Sequence, residues 1–238
     1  MSNILHPLVE GITHIINWMY HLTVAGHIGN YGVAIILFTV VLKIVLYPLT
    51  LKQMKSMYMM QQLAPKIKEI QDKYKGKDPQ KMQQKIMELY RENNVNPMAG
   101  CLPLLVQMPI LISLFQALRQ FPYVNTQDAS FLWISNLSHV NNGPDIFGIN
   151  LYFMALLTAA STFIQTRMTT NTADQTQKIM LYTMPVMIAY FTTQVPAGLG
   201  LYWVTFNLLG IVQQYFVNKQ TRALKEAIAE GADSRKDR

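Results

Sequence analysis

Lys43 is the side chain of this sequence best placed to do chemistry, because it is one cation inside an otherwise apolar run. From Tyr31 to Lys52 the chain reads YGVAIILFTVVLKIVLYPLTLK, apolar or small up to Leu51 except at Thr39, Lys43 and Thr50. About 20 such residues at 1.5 Å per residue cover a ~30 Å hydrocarbon layer. Eight residues separate Lys43 from Leu51, which puts it roughly 12 Å inside the inner end of a straight helix. Facing lipid there would cost about 2.5 to 3.5 kcal/mol. Two placements remain open: a functional charge turned towards a protein interior or wet cavity, and a stem of about 6 Å snorkelling to the headgroups. Thr39, Lys43 and Thr50 at i, i+4 and i+11 form one helical face, which favours the first.

Other polar residues interrupt later apolar runs. Thr158, Ser161, Thr162 and Gln165 fall at i, i+3, i+4 and i+7; packing between helices by small hydroxyl residues accounts for the first three as well as a binding stripe does. Tyr202, Trp203, Asn207, Gln213 and Gln214 mark the last run. Gln107 and Gln116 lie half a turn out of phase, so only one of them can face the cavity of Lys43. No nucleotide motif, nucleophile–base pair or metal cluster stands out, and His14 with His21 at i, i+7 lacks a suitably spaced third ligand. The chemistry on offer is therefore non-covalent: a charge and neutral hydrogen-bonding groups placed within apolar runs.

The elements that must position these groups follow from hydropathy. Half of the 238 residues are hydrophobic, only 14% are charged and the mean hydropathy is +0.14, values unlike those of a soluble globular domain. Five apolar runs stand out, Tyr31 to Leu51, Pro97 to Leu118, Gly148 to Thr166, Ile179 to Pro196 and Gly198 to Val217. They predict an all-α polytopic membrane protein with five transmembrane helices. Of the 20 Lys and Arg residues all but Lys43 and Arg119 fall between Lys52 and Arg91, between Arg167 and Lys178, or from Lys219 onwards. With five spans these segments share one side, so the rule that basic loops stay inside predicts an outer N-terminus and a cytoplasmic C-terminus. The basic balance of +7 then answers to the anionic inner leaflet before any nucleic acid. The lone Cys101 excludes a disulfide framework. The first basic residue is Lys43 itself, so no signal-type n-region is expected.

The predicted organisation is an outer interfacial amphipathic helix (residues 1–30), spans at 31–52, 97–119, 148–167, 179–196 and 197–218, and a cytoplasmic antiparallel hairpin at 53–96. An outer loop (120–147), a short inner loop (168–178) and a basic tail (219–238) complete it. Leu5, Leu8, Val9, Ile12, Ile15, Ile16, Met19 and Leu22 recur at helical spacing, opposite His6, Glu10, Thr13, His14, Asn17 and His21. Gly26, Gly29 and Gly32 are expected to bend the chain into the membrane. In the hairpin Met60, Leu63, Ile67, Ile70 and Tyr74 step by coiled-coil intervals, as do Met82, Ile86 and Leu89. Between them Gly76-Lys77-Asp78-Pro79 reads as a helix stop, an N-cap and a first-turn proline. Lysines such as Lys66 and Lys73 suit a solvated face beside anionic lipid. The methionines of the stem, Met57 and Met60 among them, equally suit a surface that accepts many apolar sequences. Trp133 is expected as an interfacial anchor, and Pro196-Ala197-Gly198 as a tight outer turn.

The block KIKEIQDKYKGKDPQKMQQKIMELYRENNVNPMAGCLPLLVQMPILISLFQAL, with QKIMLYTMPV and VPAGLGLYWVTFNLLGIVQQYF, resembles YidC-type membrane protein insertases over about Gly32 to Asn218. The resemblance implies a five-helix core around a hydrophilic groove that opens to the cytoplasm and lipid, and a bacterial plasma-membrane location. It implies no cofactor and no covalent catalysis. It matches Lys43 to the groove's basic residue, with lysine where the family commonly has arginine, and Gln165 and Trp203 to groove positions. Lysine keeps the charge and loses the bidentate fork. Thr39, Thr158, Ser161, Thr162 and Asn207 complete the candidate groove, and Met57, Met60, Lys66 and Lys73 a candidate substrate contact on the hairpin. The implied partners are nascent membrane proteins and the bilayer, with a Sec-type translocon and, through the basic tail, the ribosome as further candidates; the working unit is expected to be a monomer. The competing reading is a small-solute or proton-coupled transporter with Lys43 as its intramembrane charge.

Overall fold

The structure is a computed structural model that describes residues 2–74, 76–96, 102–121, 127–140, 145–146, 149–150, 152–170 and 175–233. Nine α-helices occur among them: α1 (Ser2–Ala25), α2 (Tyr31–Val45), α3 (Tyr47–Gln62), α4 (Ala64–Tyr74), α5 (Pro79–Glu92), α6 (Leu102–Arg119), α7 (Phe153–Thr169), α8 (Gln175–Thr192) and α9 (Ala197–Asp233). A two-residue antiparallel ladder, Asp145–Ile146 with Asn150–Ile149, is the only sheet among the described residues. Pro97, Cys101 and Lys75 lie outside them, as do parts of the loops at 120–147 and 168–178 and the end of the tail.

Prolines set where the helices break. The run that reads as one span from Tyr31 to Lys52 is two helices, α2 and α3, bent by 68°. Pro48 is in the first turn of α3, after the cap residue Leu46; with no N–H to give and a ring that clashes with the preceding turn, it ends α2. Thr50 therefore does not continue the straight face of Thr39 and Lys43, and Lys43 lies in the last turn of α2 rather than deep inside a longer rod. The first arm of the hairpin is likewise two helices, α3 and α4, parted at Leu63 just before Pro65. Among the described residues no single helix is long and apolar enough to cross a membrane; the bent pair α2–α3 passes that test by length and composition. A wide apolar surface is nevertheless bare. Val41, Ile44 and Val45 on α2, Tyr182, Val186 and Tyr190 on α8, and Leu208 and Val212 on α9 are 45% to 71% exposed, far more than a water-soluble monomer leaves uncovered.

In the hairpin α4 and α5 pack through Met60, Leu63, Ile67, Ile86, Tyr90 and Val95. Gly76 turns the chain at φ +76°, and Asp78 accepts a hydrogen bond from the Lys81 amide, 2.9 Å, at the start of α5. The base is held to the bundle by Gln61, whose Nε2 donates to the Met168 carbonyl at the end of α7, 2.9 Å.

The main core collects at the end where α2, α7 and α9 begin. Ile12, Ile16, Met19 and Tyr20 of α1 pack there on Tyr31, Ile35 and Phe38 of α2, Leu114 and Leu118 of α6, and Leu199 and Tyr202 of α9. Residues 127–140 close this end. The carbonyls of His139 and Leu137 accept the Ala197 and Gly198 amides, 2.8 and 2.9 Å, so the loop satisfies the first turn of α9. Asn30 caps α2 by accepting from Gly32 and Val33, while its Nδ2 donates to the Ser130 carbonyl. Gly29 (φ +48°) and His27 (φ +61°) make the bend after α1. Gly32 instead lies within α2, where a Cβ would stand 2.3 Å from the Phe131 ring. Trp133 is half-buried and packs edge-on to Phe153 at 4.8 Å within this cap.

Tyr20 ties the cap to α1 and α2: its ring stacks on Tyr31 at 3.8 Å and its hydroxyl donates to Asp128 Oδ2, 2.6 Å. The carboxylate, helped by burial, holds the phenol's pKa up at about 12 against its usual 10.0. Because the neutral phenol is the form the fold prefers, its contribution is complete below pH 10 and is lost as pH rises from 10 to about 12. Tyr20→Phe should therefore lower the melting temperature in detergent at pH 8 and flatten its decline above pH 10. Superimposable alkaline melting curves for the two proteins would show that this bond does not hold the cap.

Candidate functional site

Below the apolar cap the helix faces turn polar. On α2, Thr39 is fully buried and Lys43 is 8% exposed. Thr158, Ser161 and Thr162 of α7 and Asn207 of α9 are buried as well, with Gln165 and Trp203 half-buried beside them. These positions come together because α9 packs against both α2 and α7, so one stripe of α9 faces two helices.

Asn207 is the hub. With its amide oriented by the surrounding donors, its nitrogen donates to Gln165 Oε1. Its oxygen accepts from Ser161 Oγ (3.1 Å), Thr162 Oγ1 (2.9 Å), the Thr162 amide (3.2 Å) and Trp203 Nε1 (3.3 Å). Trp203 Nε1 also approaches Thr162 Oγ1 at 3.2 Å. The network links α7 to α9 through four side chains around one amide, which fixes Gln165 with respect to the indole.

Lys43 approaches the same face of α9 from α2. Its ammonium stands 3.6 Å from the centroid of the Phe206 ring, a cation–π contact, and no carboxylate among the described residues pairs with it. At Gly210 a Cβ would lie 2.5 Å from Gln165 Nε2 and 3.2 Å from Lys43 Nζ. The missing side chain is what lets the Lys43 ammonium and the Gln165 amide meet over one point of α9. The result is a buried cation, unneutralised by any acid among the described residues and flanked by neutral hydrogen-bonding groups. It is an arrangement suited to attracting an anionic or polar peptide group and unsuited to proton abstraction or nucleophilic attack.

Not every candidate joins it. The Thr39 and Thr158 hydroxyls donate to the carbonyls of Ile35 and Met154 in their own helices, at 2.7 and 2.8 Å, so they line the site as packing groups with satisfied protons. Gln107 points to Tyr202, donating to its hydroxyl. Thr50 sits a level further along, accepting from Gln213 Nε2 at 2.8 Å. Of the hairpin candidates Met60 is consumed in the α4–α5 cluster and Met57 is half-buried, while Lys66 and Lys73 are exposed and remote from the network. Phe206 and Gly210, which seat the ammonium, carry no polar signal in the sequence. Gly210 is recognisable only as the continuation, at i+3, of the face that bears Asn207.

The chain matches the family described as 60Kd inner membrane protein over residues 23–225. It is similar to the membrane protein insertase YidC of Leptospira interrogans, 40% identical over 235 residues, which cover 93% of this chain and 36% of that protein. The YidC of Fusobacterium nucleatum is 40% identical over 220 residues, 92% of this chain and 99% of its own length. This chain thus spans little more than a third of the Leptospira relative and nearly all of the Fusobacterium one. Among solved structures it is similar to the active YidC insertase crystal structure with the first transmembrane domain resolved. The TM-score is 0.68 at 32% identity, covering 88% of this chain and 46% of that one.

Substitution at Gly210 tests the seating of Lys43 against Gln165. Gly210→Ala should change stability little, since the ends of two flexible side chains can yield and the helix gains about 1 kcal/mol of propensity. Gly210→Leu should destabilise by about 1 to 3 kcal/mol through overpacking, read as a lowered unfolding midpoint in detergent. An unchanged midpoint for Gly210→Leu would mean the three residues do not meet.

Proposed function

The chain belongs to the 60Kd inner membrane protein (YidC/Oxa1) family, and from that premise we propose that it is a membrane protein insertase and folding chaperone of the bacterial plasma membrane. Its substrates are nascent membrane proteins. It takes their short hydrophilic tails into the polar face shared by α2, α7 and α9 and releases their apolar segments sideways into lipid. The observation that carries this reading is the Lys43 ammonium, buried beside Gln165 and Phe206 without an acidic partner among the described residues.

The physical sequence is short. In the proposed topology the N-terminus and the 127–140 cap lie outside, and the hairpin with its stem from Lys52, the connection from Arg167 to Lys178 and the tail lie in the cytoplasm, where 18 of the 20 Lys and Arg residues would fall. The apolar core at the capped end then occupies the outer half of the span region and the polar groups the inner half. A tail that enters from the cytoplasm exchanges water for Lys43, Gln165 and the Asn207 network, so its desolvation is partly offset. Only the outer hydrocarbon remains to be crossed. The substrate's apolar segment, sliding against the bare faces of α8 and α9, gains transfer free energy as it partitions. Partitioning, with the membrane potential acting on charged tails, supplies the driving force. The exposed lysines of the hairpin and the basic tail are proposed contacts for the ribosome and for a Sec-type translocon.

Reconstituted proteoliposomes and a one-span substrate with an acidic tail test the role of Lys43. Lys43→Gln should slow insertion about tenfold, equivalent to about 1.4 kcal/mol. Lys43→Glu should slow it further, and Lys43→Arg should retain activity. Wild-type rates in both the Gln and Glu variants would remove Lys43 from the mechanism, and absence of insertion by the unaltered protein would overturn the functional reading itself.

A further inference from the structure

One more polar layer lies beyond Lys43, between α3 and α9. On α9 the residues Trp203, Asn207, Gly210 and Gln214 fall at i, i+4, i+7 and i+11, one face of the helix, so Gln214 continues by a turn the stripe on which Lys43 and Gln165 meet. Gln213 Nε2 donates to Thr50 Oγ1 at 2.8 Å, which fixes α3 against α9 at this level. One turn along α3 from Thr50 is Gln53, 4% exposed, while Gln214 is 1% exposed. Gln214 uses its nitrogen on Asn218 Oδ1, 2.7 Å. That leaves two buried groups without a hydrogen-bond partner, the Gln53 Nε2 donor and the Gln214 Oε1 acceptor.

Unmet buried donors and acceptors are rare in native proteins, and each calls for an account. These two stand on facing helices, and they present one amide N–H and one amide carbonyl. A peptide unit offers the complementary pair, a C=O and an N–H. We infer that Gln53 and Gln214 form a main-chain recognition station, which takes a peptide bond of the translocating tail as it passes from the hairpin base to Lys43. The inference rests on the insertase reading and adds to it a substrate feature, the backbone amide. Recognition of that group does not depend on tail sequence, whereas Lys43 favours acidic tails. Both groups are buried, so the tail reaches them only when α3 parts from α9 and the Gln213–Thr50 bond opens.

The test uses the full-length protein in liposomes and two one-span substrates, one with an acidic tail and one with an uncharged Ser/Asn tail. Gln53→Leu replaces an orphaned donor with an apolar side chain of similar size, so its melting temperature should stay level or rise, whereas Gln214→Leu also removes the bond to Asn218 and should lower it slightly. Insertion of both substrates should nevertheless fall several-fold, and a photo-crosslinker placed at position 53 should capture a stalled tail. Lys43→Gln should slow only the acidic tail. A fall in the melting temperature of Gln53→Leu that parallels its loss of insertion would assign the glutamines to folding alone and overturn the proposal. Wild-type insertion of the uncharged tail by both Leu variants would do the same. In either case intact insertion by the unaltered protein would leave the insertase reading standing.

Discussion

An ammonium group held out of water, with no acidic partner among the described residues, is the constraint around which this structure is arranged. Lys43 is compensated by weak, neutral means: the face of Phe206, the Gln165 amide, and a gap at Gly210 that allows both to approach. A carboxylate at the same place would have neutralised the charge. Neutral compensation lowers the cost of burial and leaves the electrostatic potential unspent. The Asn207 network serves the same end, because a glutamine that must face a lysine at a fixed distance needs its own carbonyl oxygen occupied from behind.

That local arrangement presupposes the division of the bundle into two halves. At the capped end Tyr31, Ile35, Leu118, Leu137 and Tyr202 are packed to near-complete burial, and loop carbonyls occupy the first amides of α9. The polar stripe begins where this packing ends. An apolar plug above a polar recess gives α9 a fixed starting point, so its residues keep their rotational phase against α2 and α7.

Sequence alone made the charge-bearing part of this legible, since a lysine or glutamine in an apolar run violates its context and must be accommodated. It set Gln165 apart from Thr158, which packing between helices accounts for equally well, but it could not show that Thr39 and Thr158 spend their protons on their own helices. Phe206 and Gly210 agree with their surroundings and so gave no signal at all. Prolines were visible but not their effects. Pro7, Pro109 and Pro185 sit inside continuous helices, whereas Pro48 follows a break that shortens α2 and takes Thr50 off its face. The difference depends on whether neighbouring elements hold the chain straight across the missing hydrogen bond, which is tertiary information.

The elbow at Leu46 also sets where the basic half of the molecule is delivered. A 16-residue helix such as α3 is about 24 Å long. Leaving α2 at 68°, it carries its far end roughly 22 Å off the α2 axis and only about 9 Å along it. The α4–α5 pair that follows α3 is thus carried to one side of the α2 axis, while α3 itself, bonded to α9 through Thr50 and Gln213, crosses the level next to Lys43.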